Sequence, residues 1–184
     1  MKFPSTIVRT TIPSPLGELT LAASAQGLAG LWFSDQPHLP ETRSWAEQAD
    51  HPLFLQTAKE LDEYFAGKRL TFTVPLDLSY GTAFQQQVWQ CLLQIAPGQT
   101  TTYGSISQQI GNPKAMRAVG GAVGRNPIGI IVPCHRVIGS DGSLTGYTGG
   151  LDRKVALLTL EPQPPQSAGK YACSIAQPVT QSLF

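Results

Sequence analysis

The 184-residue chain is poor in the side chains that staple a fold or hold a metal. It has three cysteines, Cys91, Cys134 and Cys173, too few and too far apart for a disulfide framework or a CxxC metal motif. That usage fits a reducing, cytoplasmic setting. Of its three histidines, the two in the first half, His38 and His51, have no cysteine ahead of Cys91 to join them, so neither a metal nor a cofactor is expected. Charged residues make up 14% of the chain, against about 25% in ordinary soluble proteins, which excludes a highly charged disordered protein or a histone-like one. The longest aliphatic stretch, residues 128–132, is interrupted by Gly129. Nothing approaches the ~20 apolar residues that span a bilayer. The opening Met1-Lys2-Phe3-Pro4 has no apolar run behind it, so a secretory signal is not expected.

The little charge present is unevenly placed. Residues 1–80 carry 6 Lys and Arg against 9 Asp and Glu, whereas residues 81–160 carry 6 against only Asp141 and Asp152. The halves are therefore net −3 and +4, and any polyanionic partner belongs on the second. By itself the asymmetry could equally be a solvated face.

The expected fold is α+β. Residues 6–12, 18–23 and 28–33 alternate or are β-rich, and turn chemistry at Ser14-Pro15-Leu16-Gly17 and Gln26-Gly27 joins them as an antiparallel meander. Pro52 opens a helix with Phe54, Ala58, Leu61 and Phe65 on one face, Gly67 stops it, and residues 70–74 read as a returning strand. Thr82 caps a helix with Phe84, Val88, Cys91, Leu92 and Ile95 on its apolar face. A short helix follows Tyr103 as far as Ile110. Gly111-Asn112-Pro113 then turns the chain, with Asn112 as N-cap, into a helix ending near Gly124. Two short helices around such a turn have helix-turn-helix geometry. Residues 128–132 read as a buried strand, and residues 151–160 as a helix with Leu151, Val155 and Leu158 inward. The expected division is a scaffold domain over 1–80, a mostly helical domain carrying the helix-turn-helix over 81–161, and an unstructured tail over 162–184 rich in Pro, Gln and Ser.

The helix before Gly124 is chemically odd. Met116, Val119 and Val123 share an apolar stripe, while Gly120, Gly121 and Gly124 each cost roughly 1 kcal/mol relative to Ala. Close helix packing is one compensation. The other is a face stripped of side chains so that its backbone approaches a ligand, with Arg117 as one long cation projecting from it. DNA's minor groove, only about 6 Å wide, would suit such a face.

Among the cysteines, Cys91 lies on an apolar helix stripe and reads as a small core residue. Cys134 directly follows the predicted strand and has His135 and Arg136 beside it, cations of the kind that favour a thiolate. A structural cysteine and a nucleophile are equally compatible with that placement. Neighbours in an extended chain point to opposite sides, so contact with His135 requires a turn or a bridging water. Glu161, at a helix C-terminus, opposes the macrodipole. Either it is solvated there, or it folds back to hold His135 as the base that activates the thiol.

In order and spacing, Asn112-Pro113-Lys114-Ala115-Met116-Arg117-Ala118-Val119-Gly120-Gly121-Ala122, Asn126-Pro127, Pro133-Cys134-His135-Arg136-Val137 and Gly146-Tyr147-Thr148-Gly149-Gly150-Leu151 resemble the O6-alkylguanine-DNA alkyltransferase family, its bacterial methylated-DNA–protein-cysteine methyltransferases in particular. The resemblance is strong over residues 80–161. It extends over the meander, which resembles the family's ribonuclease H-like domain. It implies that Cys134 accepts the alkyl group, His135 acts as a water-mediated base, Glu161 orients His135, and Asn126 joins the helix-turn-helix to the reactive loop. Tyr103 would donate to the base and help rotate the 3′ phosphate, and Arg117 would fill the place of the extruded nucleotide. Gly120, Gly121, Gly124 and Arg125 would lie along DNA. The carbonyls of Val137 and Cys134 would read the guanine amino group, with Tyr147, Thr148 and Gly149 as pocket walls. The implied activity is single-turnover repair of O6-alkylguanine, with O4-methylthymine a lesser substrate, by a monomer whose partner is alkylated duplex DNA. Because a thioether cannot be cleaved by anything in view, the alkylated protein would be inactive.

Two rivals stand beside this reading. A cysteine hydrolase would need His38 or His51 as a remote base and leaves Arg117 and the glycines without a role. A damage-binding protein without chemistry would not need Cys134.

Overall fold

The computed structural model describes residues 1, 3–37 and 39–162; the expected tail beyond residue 162, with Cys173, and His38, a base candidate of the rival hydrolase reading, lie outside the described residues. The chain begins as the expected meander. Strands β1 (Val8–Ile12), β2 (Leu19–Ala23) and β3 (Leu28–Phe33) pair antiparallel, with Ile12 opposite Leu19 and Leu19 opposite Phe33. The Ser14 hydroxyl donates to Gly17 O at 2.5 Å, and Gly17 takes a φ of +115° that an L side chain resists. A two-residue strand β4 (Ala46–Glu47), too short and exposed to read from sequence, runs parallel to β1, giving the order β3-β2-β1-β4.

Alternation sends Leu19, Leu21, Leu31 and Phe33 to the main core, and Ala22 and Trp32 to a smaller aromatic cluster with Phe3 and Trp45. Helix α1 (Pro52–Phe65) covers the main-core face with Phe54, Leu61 and Tyr64; His51 Nδ1 caps it by accepting from Leu53 N at 3.2 Å. Residues 70–74 are not a strand. The buried Glu60 carboxylate captures Thr73 through its backbone N–H (2.7 Å) and hydroxyl, so that stretch bonds to a helix side chain, and sheet-like pairing starts only at Leu76 beside Leu28.

Helix α2 (Ala83–Leu93) starts with a capping box between Thr82 and Gln85. Strand β5 (Thr101–Thr102) leads into α3 (Tyr103–Gln109), capped by Thr102 Oγ1. A 3-10 turn over Pro113–Ala115 then enters α4 (Met116–Gly124), which packs on α2 and α3. Asn112 is not a side-chain cap; its backbone N–H instead closes the end of α3 on Ser107 O at 2.9 Å. Met116 is not inward either, being 54% exposed, because the inner face of α4 starts at Val119 and continues with Ala122 and Val123. Trp89 of α2 secures that face by donating Nε1–H to Ala122 O at 2.9 Å.

Residues 128–132 are buried but form a tight turn, not a strand. Ile131 N donates to Gly129 O, Val132 N to Ile128 O, and Ile130 sits at φ +66°. A short apolar run signals burial without distinguishing strand from turn. A 3-10 turn over Cys134–Arg136 follows, then β6 (Val137–Ile138), parallel to β5, and α5 (Leu151–Leu160). Leu151 is 47% exposed; the inward residues are Lys154, Leu157, Leu158 and the C-cap Glu161, spaced i, i+3, i+4, i+7. Among the described residues no helix is long and apolar enough to cross a membrane.

Candidate active site

The turn at 128–132 exists because Asn126 builds it. Asn126 Oδ1 accepts from Ile128 N (3.1 Å), while Nδ2 donates to Val132 O (2.7 Å), to Ile128 O (3.3 Å) and to Cys134 Sγ (3.1 Å). One buried amide thus ties the end of α4 to the thiol. Burial pushes the Cys134 thiol up, against the lowering effects of the Asn126 bond, the Lys154 charge and the backbone N–H groups of Cys134 and His135. The neighbouring N–H groups reach the sulfur because Cys134 starts a 3-10 turn where an extended strand was expected.

His135 is fully buried, and its Nε2 lies 3.0 Å from Glu161 Oε1. Burial alone would raise the Glu161 carboxyl, but His135, Arg136 and the Gly98 N–H hold it at about 2. An ionised Glu161 makes Nε2 the protonated nitrogen and leaves Nδ1 with a lone pair. That Nδ1 is buried and has no hydrogen-bond partner among the described residues. Burial lowers the pKa of His135 despite its Glu161 partner, so the ring is neutral, as a base must be.

Glu161 does fold back, and it holds more than His135. Arg136 grips it through Nε (2.9 Å to Oε2) and Nη2 (2.7 Å to Oε1), Tyr64 of α1 donates its hydroxyl at 3.1 Å, and Gly98 N donates at 3.0 Å. Sequence reasoning set Arg136 beside the thiol, whereas its guanidinium is spent on Glu161, and it missed Tyr64. Arg136 was visible as the next residue of Pro133-Cys134-His135-Arg136, whereas Tyr64 is 97 residues from its partner and has no local signal. Lys154 was also missed: of the expected inward residues of α5, Leu158 is buried, but Leu151 is exposed and Val155 only half-buried, and Lys154 turns inward instead. Its Nζ donates to Val137 O (2.6 Å) and Thr145 O (2.7 Å).

The predicted pocket walls do gather at Cys134. Tyr147, Thr148 and Gly149 line the same small cavity as Cys134 and Asn126, about 20 Å³ in volume, room for about one water. Thr148 Oγ1 donates to Gly124 O at 2.9 Å, docking the pocket loop on the end of α4. Gly149 must be glycine, since a Cβ would lie 2.7 Å from the Tyr147 ring and 2.8 Å from Phe33. Burial keeps the Tyr147 phenol protonated. Tyr103 donates weakly to Thr145 O at 3.4 Å, and its ring is the nearest neighbour of Gly120.

Arg117 stands exposed on α4 and makes no hydrogen bond or ion pair with another described residue. Arg125 does not project; its Nη1 folds back on Gly121 O at 3.2 Å and covers that glycine. Among the described residues, no three His, Cys, Asp or Glu side chains gather as metal ligands would.

The family model for the ribonuclease-like domain of 6-O-methylguanine DNA methyltransferase matches residues 7–78, and that for its DNA binding domain matches residues 83–163. The chain belongs to the 6-O-methylguanine DNA methyltransferase family. The methylated-DNA–protein-cysteine methyltransferase of Mycobacterium tuberculosis is 52% identical over 151 residues, covering 82% of this chain and 90% of the relative. That of Haemophilus influenzae is 44% identical over 156 residues, covering 84% and 86%. The structure of Mycobacterium tuberculosis OGT in complex with DNA superposes with a TM-score of 0.78 at 51% identity, over 83% of this chain and 92% of that one. In this methyltransferase α3, α4 and the buried thiol thus lie within the one segment matched by the DNA binding domain model.

Proposed function

We propose that this chain repairs duplex DNA by moving the alkyl group of O6-alkylguanine onto Cys134, once per molecule. The observation that carries the reading is Asn126, a single buried amide that bonds both the turn after α4 and the Cys134 sulfur. It puts the nucleophile in fixed register with the helix-turn-helix. The target carbon lies inside the duplex, so the nucleotide is flipped out at a cost of a few kcal/mol. Arg117 offsets that cost by entering the stack, and Tyr103 by rotating the 3′ phosphate; Gly120 and Gly124 lie along the DNA backbone, joined by Gly121 and Arg125 once the Arg125 guanidinium leaves Gly121 O.

A cavity with room for one water does not admit a purine, so the loop carrying Tyr147, Thr148 and Gly149 withdraws as the base enters and then walls it. The carbonyls of Cys134 and Val137 read the guanine amino group; Val137 O keeps one lone pair for this beside its bond to Lys154. The Cys134 thiol gives its proton through a water to His135 Nδ1, and Glu161 stabilises the imidazolium that forms. Sulfur bonds to the alkyl carbon as the bond from carbon to O6 breaks, and the purine anion released takes up the proton that the His135 imidazolium gives back through water, so the charge balances. O6-methylguanine is the main substrate and O4-methylthymine a lesser one. The protein acts as a cytoplasmic monomer, with residues 1–80 as scaffold and 81–161 carrying DNA binding and chemistry. Titrating a fixed amount of protein with excess O6-methylguanine duplex tests the stoichiometry: one guanine restored per molecule is expected, and continued turnover would refute the proposal.

A further inference from the structure

Lys154 is 0% exposed, on the first turns of α5, and nothing in the transfer scheme above uses it. Burying an ammonium is costly unless its protons are satisfied and its charge is wanted. Two protons are satisfied by carbonyls from different segments. Val137 lies directly after the Cys134–Arg136 turn, and Thr145 opens the loop that walls the Cys134 cavity. Thr145 O also accepts from Tyr103 of α3. One side chain therefore pins the pocket loop, β6 and, at one remove, the helix-turn-helix. The charge is also close enough to act on the Cys134 sulfur.

We propose that Lys154 is a positioning residue for alkyl transfer, holding the pocket loop against β6 and supplying the positive charge that stabilises the Cys134 thiolate. The proposal rests on the alkyl-transfer reading for its purpose, but its test needs no DNA. Other groups face the thiol: Tyr103 from α3 and Tyr147 from the pocket loop, both held protonated by burial, and His135 and Arg136 within its own turn. Arg136 is neutralised by its bidentate grip on Glu161, and His135 is itself neutral. That leaves Lys154 as the facing cation without a carboxylate partner among the described residues. Burial lowers it to about 8, and the thiolate opposes that shift, as mutual stabilisation requires.

The experiment follows alkylation of the full-length protein by iodoacetamide from pH 6 to 10, with peptide mapping to separate Cys134 from Cys91. Lys154→Met removes charge and hydrogen bonds; Lys154→Gln removes the charge and keeps a donor, guarding against a variant that fails to fold. In both, the midpoint of the Cys134 profile is expected to rise by about one unit, with a roughly tenfold slower rate at pH 7. Lys154→Arg should keep the parent midpoint, and the Cys91 profile should not move in any variant. An unmoved Cys134 midpoint in a folded neutral variant would overturn the proposal, as would an arginine variant displaced as far as the neutral ones. Failure of the transfer reading would appear separately, as a parent protein that reacts with iodoacetamide but leaves O6-methylguanine intact.

Discussion

Glu161→Gln removes one charge from the most heavily bonded buried carboxylate at the site. The parent carboxyl sits at about 2, against 4.5 for an unburdened one. At 1.36 kcal/mol per unit, that depression corresponds to about 3 kcal/mol of folding stability. The variant also leaves the Arg136 guanidinium buried without its counter-charge, a loss of about 3–5 kcal/mol in comparable buried pairs. The two routes agree, and for a chain of this size the melting temperature should fall by about 6–12 °C at pH 7. Because the folded-state pKa is depressed, the contribution is complete above the unfolded value and lost as pH falls through the folded one. The gap between parent and variant should hold from pH 7 to about 5, shrink by about 2 kcal/mol by pH 3, and close below pH 2. Urea unfolding followed by fluorescence of the buried Trp89 measures it. A gap under about 1 kcal/mol at pH 7, or one that does not narrow toward pH 3, would refute the reasoning.

Arg117→Ala should slow repair of O6-methylguanine in duplex DNA by roughly 10–100-fold, the size of part of the flipping cost, while reaction with the free modified base is unchanged; equal slowing of both would show that Arg117 does not act on the stack. Asn126→Ala strips partners from Ile128 N, Val132 O and Cys134 Sγ and should cost about 2–4 kcal/mol of stability, and its Cys134 alkylation profile should move to higher pH. Wild-type stability by chemical unfolding and an unmoved profile would count against Asn126 as the link between helix and thiol.

Much of this was legible in the chain before any coordinates. The meander, the helix cap at Thr82 and the two short helices around Pro113 follow from local turn and capping chemistry, which a short window contains. Cys134, His135 and Asn126 sit in one stretch of sequence, and their assembly needed only the turn between them. Residues 128–132 misled because an apolar run reports burial, while the turn is imposed by Asn126 acting across six residues. Strand pairing at residues 70–74 failed because Glu60, a distant helix side chain, captured Thr73. Tyr64 and Gly98 reach Glu161 only through tertiary packing, and no local pattern announces that. Lys154 could have been found, since Lys154, Leu157, Leu158 and Glu161 share a helical face; a lysine on the inward side contradicts the usual polarity rule, and that contradiction was the signal.

The central claim is that Cys134 itself takes the alkyl group, and intact mass followed by peptide mapping tests it most directly. After mixing with a duplex containing one O6-methylguanine, the protein should gain one methyl in place of a proton, confined to the peptide containing Cys134, and the base should be restored to guanine. Binding to the lesion with no gain in mass, or a gain on Cys91 alone, would contradict the account.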